Sequence, residues 1–435
     1  MSSLRVGLPS ALCAALAAGL AASAACGRLG YDTLADGDGG SVPGPGTPDA
    51  DLLPPDADPL LPDGGPGPAD AAPADAPGPQ PDASVNPTTE IPLTSITSNS
   101  EHPVLAFTGD GYEVVWDDDR GGNREIYLQR VAGGAAQGAN VRLTQAAGYS
   151  GFPSVAWSGS ELGVAWEDGR LNSDEIFFTR CDKNGVAIGP QSQLSFAAGL
   201  AYDPSVVWKD SNRFAVGWED GGGTSADIYF AVTTPQNGPM GNPVRRSNSA
   251  GASLRSSVAW TGSEFGMAWE DGRGGNFQMF FARCAANSSP LGSDARAVTS
   301  TGRSLGASLV WNGSVYGLAY EDNRTGTTQV YVARLDASGV QLGNDVAVPA
   351  GSMGASEPSL AWASDHWAVA YVQSTQVLMA ELTAQTLAPI SVRIVSSTFA
   401  QAENPKLVWT GAAYGMVWQD RRAGNYDVYF REVVP

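Results

Sequence analysis

Lysine is nearly missing from this chain: Lys183, Lys209 and Lys406 are the only three in 435 residues, against 45 Asp and Glu. With arginine the basic total reaches 25, the net charge is −20, and no basic patch or basic helix breaks the pattern. A phosphate-neutralising surface is therefore absent, which excludes a nucleic-acid partner. The same shortage excludes an anionic membrane surface as a direct ligand of any folded part. Histidine is scarcer still, with His102 and His366 alone, and neither lies beside a nucleophile or a carboxylate pattern. The four cysteines form no CxxC, no Cys/His cluster and no disulfide framework. A G-x-S-x-G nucleophile elbow is missing too. No catalytic residue and no metal-ligating set is therefore expected.

What is present begins with a targeting segment. Arg5 supplies a positive start, residues 6–20 are apolar and rich in Ala and Leu, and Ser23-Ala24-Ala25-Cys26 places small residues before a cysteine. The apolar run is too short and alanine-rich for a membrane span of ~20 strongly apolar residues. The stretch Ala25-Cys26-Gly27-Arg28 resembles the processing site of bacterial lipoproteins, although Ser23 stands where Leu is usual. That resemblance implies a signal peptide over 1–25, lipidation at Cys26, and an exported protein at the outer membrane or cell surface, with the periplasm as second choice. Ordinary secretory cleavage nearby is the alternative.

Residues 26–87 read as a linker. Between Tyr31 and Ala83 there are eleven Asp and no Lys or Arg, set among Pro, Ala and Gly. Such a composition cannot bury enough apolar surface to offset its conformational entropy, so disorder is expected. Its natural job is a spacer between an anchored terminus and a folded domain over 88–435.

That domain repeats. One aromatic series runs Phe107, Trp157, Trp208, Trp260, Trp311, Trp362, Trp409, in steps of 50, 51, 52, 51, 51 and 47. A second follows in register: Trp116, Trp166, Trp218, Trp269, Tyr320, Tyr371, Trp418. Each unit reads as four short strands of period-2 alternation, in the second unit 154–157, 162–166, 175–180 and 193–196. Seven such units predict an all-β, seven-bladed propeller. The seventh unit stops after its third strand, and a spare strand at 89–95 has the register of a fourth: Leu93 precedes Phe107 by 14 residues, as Leu143 precedes Trp157. Donating it to the last blade closes the ring and removes an exposed edge. The tryptophans are expected as core knobs between blades.

The units resemble TolB-type propeller repeats, best in Asp119-Arg120-Gly121-Gly122-Asn123-Arg124-Glu125-Ile126-Tyr127 followed by Arg142-Leu143-Thr144. The resemblance implies the fold and says little of function.

After the second strand a motif recurs, giving the pairs Asp118/Arg120, Asp168/Arg170, Asp271/Arg273, Asp322/Arg324 and Asp420/Arg422. The third unit keeps Asp220 but has Gly222 for Arg, and the sixth has Gln373 and Thr375. These loops share one propeller face, so they form a broken ring: a candidate binding face, or a scaffold in which Arg pairs with the carboxylate and Asp with turn amides. The break at the sixth unit suggests a notch at Asp365, His366 and Trp367, with Trp367 exposed. Cys181 and Cys284, two blades apart, are beyond disulfide reach and are expected as free thiols. Asp117-Asp118-Asp119 is the densest acidic cluster, yet it lacks the spaced oxygens of a calcium loop. No cofactor is expected beyond a weak calcium site there.

Two functional readings follow. The first is a monomeric, non-enzymatic module on a lipid anchor, its only membrane contact, binding an envelope protein or cell-wall component through the Asp/Arg face. The alternative is a carbohydrate-binding or glycoside-hydrolysing propeller that uses the notch.

Overall fold

The computed structural model describes residues 89–435 except 96, 197–198, 211–212, 222–224, 249 and 398–400. The signal peptide, Cys26 and the linker expected over 26–87 lie outside the described residues. Seven four-stranded antiparallel sheets follow one another, six of them meanders in chain order from an inner strand outward and the seventh completed by the first strand of the described chain. The inner strands are Ser100–Phe107, Ser150–Trp157, Ala201–Asp210, Ser253–Trp260, Ser304–Trp311, Ser356–Trp362 and Glu403–Trp409. Each packs on the next, and the seventh packs on the first, which closes the ring. The expected seven-bladed propeller is what forms.

Closure uses the displaced strand. Its laddered part, Ile91–Pro92, is shorter than the 89–95 expected and pairs with Phe430 and Tyr429 of the third strand in blade seven. Side chains extend the register. Leu93 N–H donates to Val428 O at 2.8 Å, as Leu143 N–H does to Ile126 O at 2.7 Å. The Thr94 hydroxyl donates to Asp427 at 2.8 Å and accepts from Val428 N–H at 2.9 Å, the place Thr144 fills in blade one. Leu93 is buried with Tyr112, Trp116 and Phe430 at the junction of blades seven and one.

Two aromatic series behave differently. The second is fully buried, from Trp116 round to Trp418, as period-2 placement on a doubly covered strand dictates. The first is only half-buried, and Trp208 remains 38% exposed. These rings end the inner strands and lean on the preceding blade at the face opposite the Asp/Arg loops, so only part of each is a core knob.

The blades interlock through an aromatic-into-glycine fit. The first aromatic of the second strand (Phe214, Tyr316, Trp367, Tyr112) lies over Gly163, Gly266, Gly317 and Gly415 of the preceding blade, where a Cβ would come within 2.2 to 2.5 Å of the ring. Only a residue without a Cβ admits that approach. Trp367 is one of these rings and is 0% exposed, which corrects the expectation that it is exposed in a notch. Cys181 and Cys284 are buried free thiols, as expected.

Candidate functional site at the channel mouth

The Asp/Arg ring turns inward on itself. Asp271 accepts from Trp269 Nε1 at 3.1 Å, Ser253 Oγ at 2.9 Å, and the Arg273 amide, Nε and guanidinium tip at 3.0, 2.8 and 2.7 Å. The guanidinium then lies 4.0 Å over the ring of Phe280. Blades one, two, five and seven repeat this stack, with Arg120 on Tyr127, Arg170 on Phe177, Arg324 on Tyr331 and Arg422 on Tyr429. The remaining guanidinium donor reaches the outermost strand: Asn140, Gln191, Asp294, Asp345 and, in blade seven, Glu90 from the displaced segment. Burial pushes Asp118, Asp271 and Asp322 up, but the hydrogen bonds they accept outweigh it and hold them below the usual carboxylate range. Asp220, with no arginine, is instead raised by burial and leaves Oδ1 without a partner. Each pair is thus a brace from the second strand to the fourth, and its polar atoms face one another.

The notch residues do not assemble. Asp365 and His366 belong to the turn between the first two strands, on the face opposite the shortened hairpin at Gln373–Gln376. His366 bonds Asp365 at 2.6 Å and the Tyr414 hydroxyl at 2.7 Å, with Glu381 at 3.4 Å. The Asp117-Asp118-Asp119 carboxylates diverge: the first turns to His102 and Arg124, the second to Arg120, the third to the Asn99 amide.

A different ring emerges at the start of the inner strands. Every blade carries a β-bulge there: three residues of the inner strand span two of its neighbour, as between Glu101/Asp117 and Val104/Val115. The bulged residue is left-handed in all seven: His102, Phe152, Asp203, Arg255, Gly306, Glu357 and Asn404, with φ between 49° and 63°. Non-glycine residues at such angles are strained, and strain of this kind persists only where surrounding contacts enforce it. Those contacts are visible. The residue just before the Asp of the motif reaches across to the next bulge: Asp117 accepts from Phe152 N–H at 3.0 Å, Glu167 from Asp203 at 2.8 Å, Glu219 from Arg255 at 3.1 Å, Glu321 from Glu357 at 2.7 Å, and Gln419 from His102 at 2.6 Å. Blade six has Val372 at that position, and Glu357 itself supplies the clasp by accepting from Asn404 N–H.

The clasps repeat and the clasped residues do not. Seven half-buried positions around the channel mouth hold an imidazole, a phenyl, two carboxyls, a guanidinium, an amide and a glycine. Neighbours interact: His102 stacks on Phe152 at 3.9 Å, and Arg255 bridges Asp203 at 3.8 Å and Glu270 at 2.6 Å. Burial pushes Glu357 up to about 7 against the bond from Asn404, with Glu403 and Glu321 adding to the rise. Below the bulge a second ring of serines binds successive inner strands: Ser154, Ser205, Ser257, Ser308 and Ser359 each accept a backbone N–H of the next blade at 3.0 to 3.2 Å. Lys406 takes that position in blade seven. Sequence reasoning missed this mouth because its residues share no letter; the clue was the acid before the repeated Asp. Among the described residues, no group of three or more His, Cys, Asp or Glu is arranged to hold a metal.

Fold and site together define a seven-bladed propeller with a ring of chemically unlike side chains where its inner strands begin. Solved structures similar to it include a prolyl endopeptidase (12% identity, TM-score 0.48, 78% of this chain and 50% of that one). The polysaccharide lyase Uly1 matches at 10% identity and TM-score 0.50 over 78% of this chain and 91% of its own. A mutant Trypanosoma rangeli sialidase displaying trans-sialidase activity matches at 9% and 0.43, over 82% and 60%. The chain spans half the length of the prolyl endopeptidase, and identities this low show the fold alone. No family model and no curated protein matches the chain, so the TolB likeness rests on the repeat residues quoted above. The expectation that the chain is not an enzyme is corrected: the fold is shared with a polysaccharide lyase at TM-score 0.50, so the fold gives no ground for excluding catalysis.

Proposed function

We propose that the propeller binds a glycan at the channel mouth and cleaves it there. The observation that carries this reading is the ring of seven left-handed positions, six of them clasped through a backbone N–H, and occupied by unlike side chains. Repetition marks scaffold; departure from repetition at a strained, half-buried rim marks recognition. The His102–Phe152 stack offers a flat apolar face to a sugar ring, and Asp203, Glu357 and Asn404 offer acceptors and a donor to hydroxyls. Glycoside hydrolysis needs one carboxyl group protonated near neutrality and a second that is ionised. Glu357, raised to about 7 by burial, suits the acid, and Asp203 places a second carboxyl group on the same ring. Displayed from the envelope by an acidic tether anchored at Cys26, a monomer of this kind would meet cell-wall glycan.

The test is a panel of soluble polysaccharides assayed for reducing-end release and for binding by tryptophan fluorescence. Glu357→Gln should abolish release and keep binding, while Phe152→Ala should weaken binding. If the wild type binds no glycan, or if both variants match it in both assays, the reading fails.

A further inference from the structure

The serine ring is interrupted by a charge. Ser257 pairs with Ala268 and Ser359 with Ala370, and Lys406 pairs with Val417 at the same register. A serine oxygen accepts the neighbouring blade's N–H, whereas an ammonium has only donors and cannot. Lys406 therefore gives up a bond that five other blades make. In return its ammonium forms no hydrogen bond or ion pair among the described residues, and burial pulls its pKa down against the longer-range attraction of Glu357 and Asp203. Partly burying an ammonium without an acceptor is costly. The other mouth cation, Arg255, is held by Glu270 and Asp203.

The same corner is rewired a second time. Val372 replaces the clasping acid, and Glu357, facing Glu321, Glu403 and Lys406, does the clasping from inside the mouth. Two departures from the repeat thus meet at the junction of blades six and seven: a lysine with unspent donors and a carboxyl group whose pKa burial raises to about 7. A carboxyl group with a raised pKa repels an anion less than an ordinary carboxylate, and the ammonium donors of Lys406 can pair with one.

We infer that Lys406 receives a carboxylate of the bound glycan, so that the substrate class is an acidic sugar chain carrying uronate residues. This inference rests on the channel-mouth reading and narrows it. Lys406→Ser restores the residue of five other blades and is expected to fold; Lys406→Met keeps the volume without the charge. The probes are galacturonate, glucuronate and mannuronate oligomers and their carboxyl-reduced, neutral counterparts, titrated against the full chain at about pH 6. The wild type should bind at least one acidic oligomer about tenfold or more tighter than its reduced form, the size of one charge-assisted hydrogen bond. Both variants should lose that preference and keep the affinity for the neutral form. Equal affinity of the wild type for acidic and reduced forms, or an undiminished preference in both variants, overturns the lysine assignment and leaves glycan binding standing. Binding of neither form overturns both.

Discussion

Blade three is a natural deletion of one arm of the brace, and it makes the brace measurable. Asp271 accepts five hydrogen bonds, three of them from Arg273, and is 0% exposed. Asp220 occupies the same place with one bond, from Trp218 Nε1 at 3.3 Å, and an unpartnered Oδ1. Asp→Asn at each site removes a charge and little volume. At Asp271 the change leaves Arg273 facing a neutral amide whose NH2 can only repel its donors. Breaking a buried ion pair costs about 3–5 kcal/mol, and since the Arg273 side chain is 27% exposed, water recovers part of it. About 2–3 kcal/mol is expected. At Asp220 the charge being removed is one that burial already disfavours, and a single acceptor suffices for Trp218, so the change should stay within about 1 kcal/mol of zero. Urea denaturation at neutral pH, followed by tryptophan fluorescence, reads both midpoints, and equal m-values confirm that only stability moved. Equal destabilisation by the two substitutions would refute the brace, because it would show that the arginine adds nothing to the aspartate.

Four further outcomes are expected. Glu270 and Glu357 are both pushed up to about 7 by burial, so the native state holds their protons more tightly than the unfolded chain. The stability this gives is complete below about pH 4.5 and is lost as pH rises through about 7; Glu357→Gln should flatten the decline between about pH 5 and 7, and an unchanged slope counts against the raised value. Gly317→Ala places a Cβ 2.5 Å from the Trp367 ring, and overpacking of that kind should lower stability by about 1–3 kcal/mol; a neutral result would mean the blades can slide apart. Leu93→Asp should remove hydrogen-exchange protection of the Val428 and Phe430 amides before that of blade four, and uniform protection would argue against the closing strand. Burial raises the thiols of Cys181 and Cys284 to about 12 and about 11, so a thiol reagent should label neither until the ring unfolds, and rapid labelling of the native chain contradicts their burial.

The architecture was legible because a propeller writes its period into the chain. Trp166 and Trp218 recur at one phase of every unit since each is packed by the same two neighbours, and Leu93 could be matched to Leu143 because both answer one ladder position. The site was not legible for the opposite reason. His102, Asp203 and Glu357 are equivalent only through a backbone bulge, which no residue type announces, so an alignment by letter passes over them. Trp367 misled because a ring at the break in the repeat suggests exposure, while Gly317, fifty residues earlier, holds the space it fills. The Asp/Arg pairs were seen at once and carried two meanings, and only the side-chain geometry shows Arg273 folded onto Asp271 and Phe280.

The two-residue ladder at Ile91–Pro92 has a mechanical meaning. Any pull transmitted through the chain ahead of Thr89 acts on the outermost strand of the last blade, at an edge, where bonds break one after another and not together. The Glu90–Arg422 contact would be met first, then the Phe430 and Leu93 pairings. Load would therefore act first on the strand that closes the circle.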